Sequence, residues 1–145
     1  MAILVDTNIL LRSLYPHHPH YSVAKRSIAA LERGGEILCI APQNPIEFWA
    51  VATRPRGDNG LGLPHARAAG EIATQRQIFD LLPWTPDVLN TWQGLVAQWG
   101  VSGRQTHDAH LVAVMKVHGV ADILTFNVAD FRRYPGIQVV DPSQF

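Results

Sequence analysis

Four acidic residues stand among apolar neighbours, where a carboxylate is costly to keep. Asp6 directly follows Ile3-Leu4-Val5, and Glu47 lies between Ile46 and the run Phe48-Trp49-Ala50-Val51-Ala52. Asp108 precedes Ala109 and the run Leu111-Val112-Ala113-Val114-Met115, while Asp130 stands against Phe131. An unpaired carboxylate in such surroundings costs several kcal/mol, so each needs a donor, a cation or a helix end. Singly, each has a structural explanation: Asp6 and Asp108 can favour the dipole of the helices that they open, and Arg104 lies one turn before Asp108. Taken together, they are harder to balance with twelve scattered basic residues. A shared divalent cation satisfies all four at once, and such a cluster needs one, since like charges about 4 Å apart repel by roughly 4 kcal/mol at an effective dielectric of 20. Oxygen donors alone favour Mg²⁺ or Mn²⁺ over zinc. The chemistry that such a site supports is attack of activated water on a phosphate ester.

Short elements must position these acids. Apolar runs predict strands at residues 2–5, 37–40, 79–83, 123–124 and 137–140. A helix from Asn8 is interrupted by Pro16 and Pro19, resumes at Tyr21 and ends where Gly34-Gly35 follow Arg33. Further helices are expected over 42–53, with prolines in the tolerated first turn, and over 64–78, 86–99 and 106–118. Residues 54–62 read as a loop, with Pro55, three glycines, Asp58 and Asn59. Strands of continuous apolar character separated by helices imply a parallel sheet covered on both faces. The expected fold is α/β, a three-layer α/β/α arrangement with a central parallel sheet of about four to five strands, in one domain over residues 1–145. Ligands of open α/β sheets bind beyond the carboxyl ends of the strands, and Asp6 occupies that position.

Composition narrows the function classes. The chain has 145 residues, 47% of them hydrophobic and 17% charged, as in an ordinary folded domain. Its apolar runs are too short to span a bilayer, so no membrane role is expected. Met1-Ala2-Ile3-Leu4-Val5-Asp6 carries an acid where a secretory signal needs a basic start and a longer apolar stretch. The single cysteine, Cys39, has no disulfide partner and reads as a small buried hydrophobe, so a cytoplasmic location is expected. Twelve basic residues cancel twelve acidic ones. Nucleic-acid binding then has to come from a local basic rim or from bound metal.

In their order, these segments resemble a known family. Ile3-Leu4-Val5-Asp6-Thr7-Asn8-Ile9-Leu10 is similar to the opening of PIN-domain proteins, in particular the VapC-like ribonuclease toxins. Pro45-Ile46-Glu47-Phe48 resembles the second acidic motif, His107-Asp108-Ala109-His110-Leu111 the third, and Thr125-Phe126-Asn127-Val128-Ala129-Asp130-Phe131 the last. The resemblance runs from Ile3 to about Val140. It implies that Asp6, Glu47 and Asp108 converge as metal ligands, with Thr7 and Asn8 organising the turn after the first strand. Many members carry an acid where this chain has Asn127, so the fourth position is shared between Asn127 and Asp130, and one ion before substrate is expected. The resemblance further implies an Mg²⁺- or Mn²⁺-dependent endoribonuclease, an RNA substrate, a small antitoxin partner covering the acidic cleft, and a homodimer.

Other readings of the same residues remain open. A phosphatase using Asp6 as a covalent nucleophile, as haloacid-dehalogenase-type enzymes do, wants a second acid two residues later, where Asn8 stands. A catalytically inert module binding RNA or protein through the same cleft is favoured by Asn127 and zero net charge, and disfavoured by three retained acids. Arg54, Arg56 and Arg104 are candidate phosphate contacts. Trp84, Trp92 and Trp99 lie among apolar residues and read as core packing more than as stacking platforms. Pro16-His17-His18-Pro19-His20 lacks the regular helix that would aim its rings at a metal. His110 is expected to point off the helix face of Asp108, and His107 to have at most a capping or supporting part.

Overall fold

The computed structural model describes residues 1–145. Its strands are β1 (Ala2–Val5), β2 (Ile37–Ile40), β3 (Asp80–Leu81), β4 (Asp122–Leu124) and β5 (Gln138–Val140). The helices are α1 (Thr7–Arg12), α2 (Tyr21–Arg33), α3 (Gln43–Thr53), α4 (His65–Ile78), α5 (Pro86–Trp99), α6 (Gln105–Val117) and α7 (Val128–Phe131). All neighbouring strands run parallel, in the order β3-β2-β1-β4-β5. The expected three-layer α/β/α architecture is what forms, with the upper of the expected strand numbers.

Successive residues of a strand face opposite ways, and this divides the apolar residues into two cores. Leu4, Cys39 and Ile123 face one layer, where they meet α5 and α6 through Val88, Leu95, Leu111 and Val112. Ile3, Val5, Leu38, Ile40 and Leu124 face the other, where α1 to α4 supply Ile9, Ala24, Phe48 and Ala68. Leu111 to Met115 of α6 are all buried, as expected of a helix apolar around its whole circumference. Asp108 lies one turn earlier, where that helix reaches the surface. Cys39 is buried; its thiol donates to the Ile3 carbonyl, and burial pushes it up to about 11.

Several details differ from the sequence reading. β3 is reduced to Asp80–Leu81, since Phe79 closes α4 and Leu82 to Thr85 leave the sheet on the way to α5. The helix expected from Asn8 begins at Thr7. The four-residue α7 and the 3₁₀ turns at Arg56–Asp58 and Pro142–Gln144 are too short to show a periodicity. Trp92 and Trp99 pack on the core between the sheet and the α5–α6 layer, but Trp84 is 49% exposed. It lies just before α5, outside both apolar layers. No helix is long and apolar enough to cross a membrane.

The topology fixes where a site can form. β1 sits between β2 and β4, so the chain reverses its direction of winding at the carboxyl ends of β1 and β4. A crevice opens where the connections diverge.

Candidate active site

Asp6 lies at that crevice, at the end of β1 and the start of α1. One carboxylate oxygen accepts the Thr7 backbone N–H at 2.7 Å. The other accepts the Thr125 hydroxyl at 2.7 Å and the Asn8 amide at 3.4 Å. Thr125 follows β4, and its oxygen accepts in turn from Asn8 at 3.2 Å and from the Asn127 backbone N–H at 3.0 Å. Asn44 at the start of α3 donates to the Thr7 hydroxyl at 3.1 Å and accepts the Ala41 N–H at 2.8 Å. The ends of β1, β2 and β4 are therefore laced together around one buried carboxylate. Burial pushes Asp6 up to about 6, opposed by the bonds from Thr125 and Thr7 and reinforced by the charges of Glu47 and Asp130.

The other acids open onto a cavity of about 510 Å³ with no hydrophobic residue in its lining. Glu47, Asp108, Asp130 and Asn127 line it together with Arg104, Gln105 and His107. Asp108 is pushed up to about 7, first by burial, then by Asp6, Asp130 and Glu47 in that order. Glu47 is raised by burial, partly offset by a bond from Gln43 and by His107. The structure thus brings Asp6, Glu47, Asp108 and Asp130 within one another's field. The ion pairs of the chain, Met1 with Glu36 and Arg67 with Glu71, involve none of them.

Of the three candidate arginines, only Arg104 lines this cavity. Arg54 and Arg56 do not reach it, because their loop folds back on α3. Leu61 and Leu63 donate to the Val51 and Ala52 carbonyls, and Gly62 to that of Arg54. Gly60 passes so close that a Cβ there would lie 1.9 Å from the Arg54 carbonyl oxygen. The histidine run forms no metal cluster: His18 accepts from the His20 N–H, and His20 stacks on Phe126 at 4.6 Å.

Sequence reasoning missed Thr125, Asn44 and Gln43, and the contact of Gln43 with His110. Thr125 stands inside the fourth motif, where attention fell on the acids; a hydroxyl beside a strand end was the available signal. Gln43 lies four residues before Glu47, a spacing that lets two helix side chains meet. His110 stays outside the acidic cavity, as expected. Its ring meets the Gln43 amide oxygen, because α3 and α6 converge at this edge of the sheet.

The residues suit a hard divalent cation by donor type and charge. Three carboxylates and one asparagine face the same cavity, beside a fourth carboxylate, with no counter-ion bonded to any of them. No three such side chains yet stand close enough to hold an ion as placed, so occupation requires them to draw together.

A parallel α/β sheet with uncompensated acids beyond its central strands defines a class of acidic-site α/β domains. The PIN domain family model matches residues 3–137, and the chain belongs to that family. Ribonuclease VapC48 of Mycobacterium tuberculosis is 25% identical over 153 residues, covering 98% of each chain. The fold is similar to that of VapBC2 from Rickettsia felis bound to a promoter DNA fragment, with TM-score 0.71, 12% identity and 97% and 98% of the two chains covered. It is also similar to that of Mycobacterium tuberculosis VapC20, a Sarcin-Ricin loop cleaving toxin, with TM-score 0.61, 20% identity and 83% and 86% covered.

Proposed function

We propose that this chain is a divalent-metal-dependent endoribonuclease, the toxin of a toxin–antitoxin pair, acting in the cytoplasm as a homodimer. The observation that carries the reading is the group of four acids without a counter-ion at the carboxyl end of the sheet. Relatives named as a ribonuclease and as a Sarcin-Ricin loop cleaving toxin support the substrate class.

Asp6 and Asp108 would hold Mg²⁺ or Mn²⁺, with Glu47 completing the site directly or through water. Asn127 and Asp130 stand at the fourth position, where one neutral oxygen and one carboxylate favour a single ion before RNA arrives. The cation supplies Lewis acidity, making a water more acidic and offsetting charge on the phosphoryl oxygens. Glu47, raised by burial from its ordinary value, is suited to take a proton from the attacking water. Arg104 offers a cation to a phosphate at the rim. Departure of the 3′ oxygen leaves 5′-phosphate and 3′-hydroxyl ends. An antitoxin segment bearing a basic side chain suits this acidic cavity, as expected of a partner that occludes it.

The test is incubation of end-labelled RNA and DNA with the parent chain, Asp6→Asn and Asp108→Asn in Mg²⁺, Mn²⁺ and EDTA. RNA cleavage that needs the metal and falls by roughly a thousandfold or more in both variants is expected, as for loss of a group that acts in the transition state. Cleavage surviving both changes sinks the reading.

A further inference from the structure

We infer that Gln43 and His110 form a positioning pair that orients Glu47 and sets it in register with Asp108. The inference rests on the ribonuclease reading and extends it to two residues that touch neither metal nor RNA in that scheme. Gln43 opens α3 one turn before Glu47. Its amide nitrogen donates twice, to a Glu47 carboxylate oxygen and to the His107 carbonyl at 2.9 Å. Its amide oxygen faces Nδ1 of His110. Both N–H groups and the carbonyl of the amide are therefore engaged.

The orientation of this amide follows from chemistry. Turned over, its oxygen would face a carboxylate and a carbonyl, two acceptors in place of two partners. Since the oxygen can only accept, Nδ1 of His110 must carry a hydrogen, which fixes the ring as its Nδ1–H tautomer when neutral.

The placement of the pair gives it a purpose. α3 packs in the layer with Ile9 and Phe48, and α6 in the opposite layer with Leu111 and Val112. Glu47 therefore comes from one side of the sheet and Asp108 from the other. Gln43 spans the gap between them at the carboxyl edge. It reaches the first two turns of α6 through His107 and His110, on either side of Asp108 in sequence. One oxygen of Glu47 is held by this bridge, and the other makes no protein hydrogen bond. A glutamate so held points one defined oxygen outward and gives up the rotamer freedom that a long side chain otherwise keeps.

The experiment uses the full chain with three readouts: imidazole ¹⁵N spectra at pH 8, Mn²⁺ affinity by titration calorimetry, and RNA cleavage kinetics. The parent should show His110 as the Nδ1–H tautomer; the Nε2–H form overturns the inference. Gln43→Leu should release that tautomer, weaken Mn²⁺ binding roughly threefold or more, and lower kcat roughly 10- to 100-fold with KM within about threefold. In a Glu47→Gln background the same change should cost nothing further in kcat, whereas a full additive loss overturns the inference. His110→Asn, whose amide can replace the Nδ1–H donor, should keep activity within about threefold, and His110→Leu should behave as Gln43→Leu. Melting curves identify any variant that does not fold, and the parent tautomer with the His110 pair then decides. A parent that cleaves no RNA ends the ribonuclease reading, while the tautomer and the Mn²⁺ affinities still decide this one.

Discussion

Asp6 and Asp108 carry the same side chain and repel one another across one site, yet their surroundings are opposite. Asp6 ends the central strand, is almost wholly buried, and has both oxygens engaged by Thr7, Thr125 and Asn8. Asp108 lies half-buried on the first turn of α6, and no hydrogen bond or cation lowers it. One carboxylate is held by neutral donors from two strand ends; the other supplies charge and is left free to move. The contrast explains how four acids can share a site without a bonded cation. Asp6 is the fixed point, and Asp108 and Asp130 are charges that remain to be drawn onto it. Preorganisation on one side and adaptability on the other suit a site that must admit both an ion and a phosphodiester.

The largest stability effect that would break this contrast concerns the metal-free chain. Asp6 titrates at about 6 when folded against 3.8 as its ordinary value. A raised carboxyl binds its proton more tightly when folded. It therefore adds stability at low pH, and that stability is lost as the pH rises from about 4 through about 6. The gap is worth at most ~3 kcal/mol, and about half of it is lost below pH 5, so in EDTA Asp6 alone should lower the melting temperature by roughly 3–6 °C between pH 5 and pH 8. Asp6→Asn should remove that part of the pH slope, leave the part that Asp108 and Glu47, also raised, still supply, and melt above the parent at pH 8. Mg²⁺ should restore the parent but not the variant. The histidines lowered by burial, His18 and His110, act in the opposite sense but equally in both proteins. Equal pH slopes in parent and variant would show that Asp6 is not the strained group.

A smaller effect sharpens the same contrast. Thr125→Val keeps the shape of the side chain and removes the hydroxyl that Asp6, Asn8 and Asn127 share. Losing a donor to a buried carboxylate should cost roughly 1.5–3 kcal/mol at pH 8 in EDTA, measured by urea unfolding. At pH 5, where Asp6 is largely protonated, the cost should shrink to about 1 kcal/mol. Asp108→Asn, which breaks no hydrogen bond, should be neutral or stabilising under both conditions. A Thr125→Val cost independent of pH would mean that the hydroxyl serves the backbone of the turn rather than the charge.

The parts of the molecule legible in the sequence are those governed by one-dimensional patterns. Ile3-Leu4-Val5 and Ile37-Leu38-Cys39-Ile40 read as buried strands because both faces of a covered parallel sheet are apolar, and Asp6 stood out as the charge that ends the first run. Glu47, Asp108 and Asp130 stood out for the same reason. Gln43, Thr125 and Asn44 did not, since neutral polar residues near element ends are ordinary, and only the folded chain shows which acid they bond. The partner of His110 went unseen because it lies on a helix from the other side of the sheet, which no spacing within α6 can reveal. Trp84 was misread because apolar neighbours in sequence do not place a connecting segment inside either core.

The smallest effect tests what the open side of the site is for. Arg104 is exposed, lines the cavity beside Asp108, and makes no ion pair. If it meets an RNA phosphate, Arg104→Ala should raise KM about three- to tenfold, leave kcat within about twofold, and reduce the slope of log affinity against log salt by about 0.7, the value of one single-strand phosphate contact. Arg54→Ala, outside the cavity, should change none of these. The alternative is that Arg104 serves Asp108, pulling its carboxylate back toward the ordinary range in the absence of RNA. Arg104→Ala would then lower the melting temperature at pH 8 and leave the salt slope unchanged. The first outcome keeps Asp108 as a charge awaiting its cation, and the second would make it half of an ion pair, turning the free side of the site into a second fixed one.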